Sequence, residues 1–329
     1  MIRKIILLGL ALVLLSFVFG KIINKPAEPL RQKQKITVLL DWFPNTNHTG
    51  LYVAKEKGFF AEENLDVSIL QPGEGENNQI VAAGKADFGI SSQESVIQAR
   101  AAEIPLVSIA AVIQHNTSAF ASLEKSNIKS VKDFEKKRYG GWGSPIEETV
   151  IKAVMGEAGA DYSKVQNITI GETDFFKTIG RDSDFQWIFY GWDGIEAHRR
   201  GIKLNTIMLK DLSPILDYYT PVIVTNENHV KNQKELVIKF MRAVSRGYEF
   251  SIKNPTEAAE ILIKSAPELN QELVKQSQLY LSREYQADGE KWGIQKDEVW
   301  KRYAQWLSDQ KLINKIINVK EAFTNEFLP

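Results

Sequence analysis

An α/β chain of two lobes follows from three observations. The 329 residues exceed what one small core organises, short β-branched runs alternate with amphipathic helical stretches from residue 36 onward, and the last third is mainly helical. In order, 36–40 reads as a strand, 41–47 as its loop, and 49–57 as a helix closed by Gly58, a residue suited to the position past a helix end. A strand at 67–70 leads to the turn Pro72-Gly73-Glu74-Gly75, and a helix at 77–83 stops at Gly84. A strand at 86–90, a helix at 93–102 and a buried strand at 107–113 follow. The alternation restarts with a strand at 138–140, a helix at 146–156 led in by Pro145, a strand at 168–171 and the apolar run 185–190. After a strand at 222–225 come helices at 236–253, 257–265, 271–282 and 296–310.

That helical tail is too long to belong to the middle of the chain, so it is expected to return to the first lobe. The expected division is 36–119 with 222–329 as one lobe and 120–221 as the other, joined by a hinge of two crossings near Ala119 and Pro221. Each lobe is expected to hold a mostly parallel sheet flanked by helices. Ligands of open α/β sheets bind beyond the carboxyl ends of strands, so the loops after Leu40, Ile90, Gly140 and Tyr190 should converge on one cleft.

Composition narrows the classes of function. Charged residues form 25% of the chain, with 41 basic against 41 acidic, and neither a basic stripe nor a charged tail marks a nucleic-acid partner. With no cysteine there is no disulfide, thiolate metal site, thiol nucleophile or lipid-carrying thiol. Arg3 and Lys4 precede an uncharged run, 5–20, and Lys21 opens a polar stretch to 35, the layout of an export signal. The run falls short of the ~20 residues a spanning helix needs. Residues 1–35 are therefore read as a signal peptide or retained anchor plus linker. The protein is expected in the periplasm or on the outer face of the cytoplasmic membrane, as a monomer touching the membrane only through this segment or a transporter.

The chemistry is concentrated in the strand-end loops, which carry Asp41, Trp42, Asn45 and His48; Ser92 and Glu94; Trp142, Gly143 and Ser144; and Trp192 and Glu196. Tyr218 and Tyr219 join them from the stretch before Pro221. Aromatic faces beside carboxylates, amides and open backbone suit a flat, hydrogen-bonding ligand. An aminopyrimidine offers an amino donor next to a ring nitrogen, an edge that a carboxylate can pair. Glu196, Glu94 and Asp41 are the candidates, Glu196 being favoured with Trp192 and Tyr218 as stacking or lid residues. Other roles stay open: the tryptophans as packing, Asp41 and Asn47 as caps of the 49–57 helix, Glu94 as a partner of a helix dipole, and Gly143 and Ser144 as backbone donors or simply a turn. His48 has no nucleophile or metal-ligand partner nearby in sequence, and the phosphate-loop, nucleophile-elbow, dinucleotide and zinc-helix motifs are absent. No catalytic residue, metal or cofactor is expected.

The run from Leu40 to Ala54, with Asp41-Trp42-Phe43-Pro44-Asn45-Thr46-Asn47-His48 at its centre, resembles the opening of thiamine-pyrimidine-precursor binding proteins. Ala86-Asp87-Phe88-Gly89-Ile90, the stretches 140–145, 191–196 and 217–221, and the tail 324–329 are similar in order and spacing, so the resemblance covers 36–329. It implies a two-lobed periplasmic-binding-protein fold of type II that closes on a hydroxymethyl- or formylaminomethyl-pyrimidine and delivers it to the permease of an ABC transporter. The superfamily also contains the eukaryotic suicidal pyrimidine synthases, with a lysine for pyridoxal phosphate, a substrate histidine and a cysteine-rich iron-binding run. Aligned to that branch, these positions fall at Ser91, at Ser95 and at 217–221, where the reactive groups are missing. The departures favour binding over synthesis. Two rivals remain: a binder of another small aromatic or of a sulfonate, the candidate loops lacking the arginine that a sulfonate or other anion calls for although Arg181, Arg199 and Arg200 lie near in sequence; and a pyrimidine-modifying enzyme using His48 and Asp41 as acid and base.

Overall fold

A computed structural model describes residues 32–71, 77–171 and 173–329. Residues 1–31 of the export segment and linker read over 1–35, and the turn at 72–75, lie outside the described residues, among which no helix is long and apolar enough to cross a membrane.

Among the described residues ten strands form two five-stranded sheets. The first holds β1 (Gln34–Leu39), β2 (Leu65–Leu70), β3 (Phe88–Ser91), β4 (Leu106–Ala111) and β10 (Val222–Asn226), in the order β2-β1-β3-β10-β4. The second holds β5 (Ser118–Leu123), β6 (Arg138–Gly141), β7 (Gln166–Thr169), β8 (Phe185–Phe189) and β9 (Leu204–Met208), in the order β7-β6-β8-β5-β9. β1 pairs with β3, and β6 with β7 and β8, in parallel. The exceptions are β10, antiparallel to β3 and β4, and β5, antiparallel to β8 and β9. Both are the strands by which the chain enters one sheet from the other, β10 after only the short helices Leu209–Leu212 and Pro214–Leu216, so each sheet is mixed. The chain passes from β4 to β5 through 112–117 and returns from β9 to β10 through 209–221.

Two of these strands have little sequence signal. Ser118-Ala119-Phe120-Ala121-Ser122-Leu123 contains no β-branched residue, yet it is buried and paired on both edges as β5. Neighbouring strands override its weak propensity. β9 is the outer strand beside it.

Period-two alternation in β1 sets the layers. Ile36 and Val38 point to one face, where Val237, Phe240, Met241, Val244 and Tyr248 of a long amphipathic helix (Lys234–Lys253) cover them. Leu39 points to the other face, into a cluster that also holds Trp300 and Tyr303 of the helix Asp297–Asp309. The long helix also positions the segment after β1. It crosses α1 (Thr49–Glu56) so closely that a Cβ on Gly247 would lie 2.0 Å from the Gly50 carbonyl oxygen, and the Tyr248 hydroxyl donates to the Asn47 carbonyl at 2.8 Å. A side chain at 247 would push the helices apart and disturb the loop.

Candidate functional site

A cavity of about 370 Å³ opens between the two sheets, where the strands β1, β6, β7 and β8 end and Thr220 and Pro221 cross. Asp41, Trp42, Asn45 and Asn47 form its first wall. Gly140, Gly141, Trp142, Ile170, Gly171, Thr173, Gln186, Trp187, Phe189, Trp192 and Asp193 form the second. Trp42 is 46% exposed, Trp142 38% and Phe189 46%, so three large apolar rings stand open to solvent around this space. Trp142 meets Trp187 edge to face, with centroids 5.7 Å apart.

The first wall is held by local hydrogen bonds. Asn45 caps the short 3₁₀ turn Thr46–His48 that leads into α1, its side chain accepting from the Asn47 amide at 2.9 Å. Neither Asp41 nor Asn47 serves as the cap. His48 is fully buried, and its Nδ1 accepts from the Asn45 amide at 3.3 Å. A backbone N–H can only donate, so the ring proton sits on Nε2, which donates to Asp41 Oδ1 at 2.8 Å. Both nitrogens of His48 are thus engaged in orienting Asp41, whose carboxylate stays half-open to the cavity.

The second wall turns on a wider helical geometry. Tyr190–Gly194 forms a π-type turn between β8 and the short helix Ile195–Arg199. That turn places Asp193 in the cavity, where the Phe189 amide donates to its Oδ2 at 3.3 Å. Burial pushes the Asp193 carboxyl up to about 6, with Asp174 and Glu196 adding to the effect against the opposing pull of backbone donors. The turn is anchored across the cleft: the Ser277 hydroxyl donates to the Gly191 carbonyl and lies 2.6 Å from the Thr46 hydroxyl, linking the two walls.

Several residues expected at the ligand are placed elsewhere. Glu196 does not line the cavity; it is buried and held by Arg199 (2.6 and 2.8 Å) and Arg200 (2.5 Å), which keep its carboxyl below the usual range. This pairing also occupies Arg199 and Arg200, two of the three arginines noted near these loops in sequence. Tyr218 is core, stacked on Tyr303 with centroids 4.2 Å apart. Tyr219 is buried as well; its hydroxyl accepts from the Lys296 amide at 2.9 Å and its amide donates to Gln93 Oε1 at 2.9 Å. Ser92 caps the helix Gln93–Ala101, accepting from the Ser95 amide at 3.1 Å. Glu94, in the first turn of that helix, takes a hydrogen bond from Gln98 and lies outside the cavity lining, its carboxyl pushed up to about 7 mainly by burial. Gly143 and Ser144 spend their amides on Glu147, at 2.9 Å each. Asp41, Trp42, Asn45, Trp142 and Trp192 remain in the lining.

Sequence reasoning passed over Asp193 although it lies in a stretch already singled out. Glu196, three residues further, is the carboxylate the sequence favours, and nothing in the composition of Tyr190-Gly191-Trp192-Asp193-Gly194 announces a π turn. Gln186, Trp187 and Phe189 were hidden for a different reason. They belong to a strand whose apolar run reads as pure core.

An interlobe cleft beyond the strand ends of two mixed sheets defines a periplasmic-binding-protein architecture. The solved aliphatic sulphonate binding protein SsuA of Escherichia coli shares it, at a TM-score of 0.68 and 14% identity over 88% of this chain and 96% of that one. The chain belongs to the NMT1/THI5 like family, whose model matches residues 45–258. It is 29% identical to a formylaminopyrimidine-binding protein of Halalkalibacterium halodurans, over 89% of this chain and 90% of the relative. It is also 26% identical to a 4-amino-5-hydroxymethyl-2-methylpyrimidine phosphate synthase of Legionella pneumophila, over 90% of this chain and 93% of the relative.

Proposed function

We propose that this chain is an extracytoplasmic solute-binding protein that captures an aminopyrimidine precursor of thiamine and delivers it to an ABC importer. The observation that carries the reading is the cleft itself, in which exposed aromatic rings surround two carboxyls, Asp41 and Asp193. A pyrimidine stacked on Trp42 or Trp142 removes apolar surface from water on both partners. Asp193 pairs the amino group and adjacent ring nitrogen, one proton being shared between carboxyl and ring, while Asp41, held by His48, takes a substituent on the far side.

Binding without transformation fits this arrangement. His48 has no nitrogen left to move a proton on a ligand, and Ser91 and Ser95 offer neither the amine nor the imidazole of the synthase branch. A sulfonate is disfavoured because no lysine or arginine lines the described cavity, whereas two carboxyls do. The lobes, taken as 36–119 with 222–329 and 120–221, close by rotation about the two crossings, and the transporter reads the closed form.

Calorimetry of the purified protein with hydroxymethylpyrimidine, its formylaminomethyl analogue, thiamine, riboflavin and an alkanesulfonate tests the reading, with tight binding expected for one of the two simple pyrimidines. Heat from none of the pyrimidines overturns it. Mass spectrometry of solute carried through purification identifies the natural ligand, and unchanged ligand after denaturation excludes an enzyme.

A further inference from the structure

Among the residues that line the cavity, Gln186 of β8 is an uncharged polar side chain in a strand that is otherwise apolar, Phe-Gln-Trp-Ile-Phe. It is only 4% exposed. A buried amide has two N–H donors and a carbonyl oxygen to satisfy. Nε2 of Gln186 donates to the Thr178 hydroxyl at 2.8 Å and to the Ser183 hydroxyl at 2.6 Å, both of them buried. Gly140, the partner of Gln186 on β6, keeps this holder intact: a Cβ at 140 would lie 2.7 Å from the Ser183 Cβ and 2.9 Å from its hydroxyl oxygen, dislodging the serine.

Thr178 decides which end of the amide is nitrogen. Its hydroxyl proton goes to the main-chain carbonyls behind it, Phe175 at 3.2 Å and Asp174 at 3.4 Å. The Thr178 oxygen is left as an acceptor, and only an N–H of Gln186 can face it; a flipped amide would set two acceptors together. Both amide protons are then spent, and Oε1 is what remains. Among the described residues no donor reaches Oε1. Nor is it sealed in the core without a partner, as the indole nitrogen of Trp187 is. A side chain that lines the cavity, with its nitrogen fixed behind it, therefore offers that cavity a bare carbonyl oxygen. This adds a third acceptor to Asp41 and Asp193 in a lining without lysine or arginine.

We propose that Gln186 is a specificity-determining residue that selects 4-amino over 4-oxo pyrimidines, its Oε1 accepting the amino proton that Asp193 does not take. This rests on the aminopyrimidine reading, in which Asp193 pairs the amino group and the adjacent ring nitrogen. That pairing uses one of the two amino protons, and the other needs an acceptor. A 4-oxo ring sets its own carbonyl against Oε1, with no proton between them. A site that hydrogen-bonds an N–H of its ligand rejects an analogue lacking it far more strongly than a site that only fits its shape.

Calorimetry on the full-length chain compares 4-amino-5-hydroxymethyl-2-methylpyrimidine and its formylaminomethyl analogue with the 4-oxo counterpart of each, for wild type, Gln186→Met and Thr178→Val. Wild type is expected to prefer the tighter-binding amino compound over its counterpart by at least about 100-fold. Gln186→Met, similar in length but without the carbonyl, should narrow that ratio by about tenfold. Thr178→Val should narrow it too, because the released amide can turn its nitrogen to the cavity. Trp142→Ala, by contrast, should weaken both compounds alike and leave the ratio as it is. An unchanged ratio in Gln186→Met, with a thermal melt showing that it is folded, overturns the proposal, and so does a wild type that binds the 4-oxo compound as tightly as the amino one. If Gln186→Met does not fold, a crystal structure of the wild-type complex decides: an amino nitrogen within about 3.2 Å of Oε1 supports the proposal, and one beyond about 3.5 Å overturns it. Wild type binding none of the pyrimidines removes the functional reading and the proposal with it, a result distinct from tight amino binding with an unchanged ratio, which removes the proposal alone.

Discussion

The two walls of the cleft are built on one plan and reach it differently. In each, a strand ends, a short turn follows and a helix begins, with an acidic residue left facing the cavity. At 41–50 the turn is stabilised by its own side chains: Asn45 caps it, His48 closes the capping box, and the same histidine orients Asp41. At 190–196 the turn is a π-type bend held by contacts from elsewhere, with Ser277 on the Gly191 carbonyl and Leu281 packed so closely that a Cβ at position 191 would come within 2.9 Å of it. Here two acidic residues compete for the cavity. Asp193 takes it, and Glu196 is withdrawn to Arg199 and Arg200. A wall that carries its own hydrogen-bonding instructions can be read in sequence; one shaped by distant packing cannot.

The largest expected effect falls on the second wall. Asp193→Asn should weaken aminopyrimidine binding by about 1.5–3 kcal/mol, because a charge-assisted pair becomes a mismatched one. The pH dependence supplies the sign. Free Asp193 releases its proton as pH rises through about 6, whereas the complex retains one between carboxyl and ring. Wild-type affinity should therefore fall above that pH with proton uptake, measurable by calorimetry in buffers of different ionisation enthalpy, and Asp193→Asn should abolish the uptake.

Next are the exposed rings that face each other across the comparison. Trp42→Ala and Trp142→Ala should each weaken binding by roughly 1–3 kcal/mol, a range typical of ring stacking, while leaving the melting temperature of the empty protein nearly unchanged. An equal loss of stability would make them packing residues instead.

Asn45→Ala tests whether the first wall is self-supporting. Removing the cap should lower stability by about 1 kcal/mol in denaturant titration, with a parallel loss of affinity as Asp41 loses its framework. The smallest effect is expected at Glu196. Glu196→Gln should change affinity by less than about 0.5 kcal/mol, since the residue lies off the cavity. A collapse of binding would show that the ligand edge sits on Glu196 and not on Asp193.

Much of the architecture is written locally. Most strands and all the long helices were expected from periodicity, with glycines and prolines at their ends, because apolar spacing and capping act within a few residues. Strand β5 was not, since its small residues become a strand only between two neighbours. Among the site residues, Asp41, Trp42, Trp142 and Trp192 follow from strand ends alone, whatever their neighbours. The exclusion of Tyr218 and Tyr219 from the cleft depends on Tyr303, Gln93 and Lys296, which lie some 75 to 130 positions away along the chain.

By itself, then, the sequence determined that two α/β lobes meet at strand-end loops rich in aromatic and carboxylate side chains, because those signals reside in short-range pattern. Which carboxyl faces the ligand was decided only by tertiary structure. A π turn, two arginines and a serine on a remote helix rotate Asp193 into the cavity and Glu196 out of it, and each of those contacts forms only once the chain has folded.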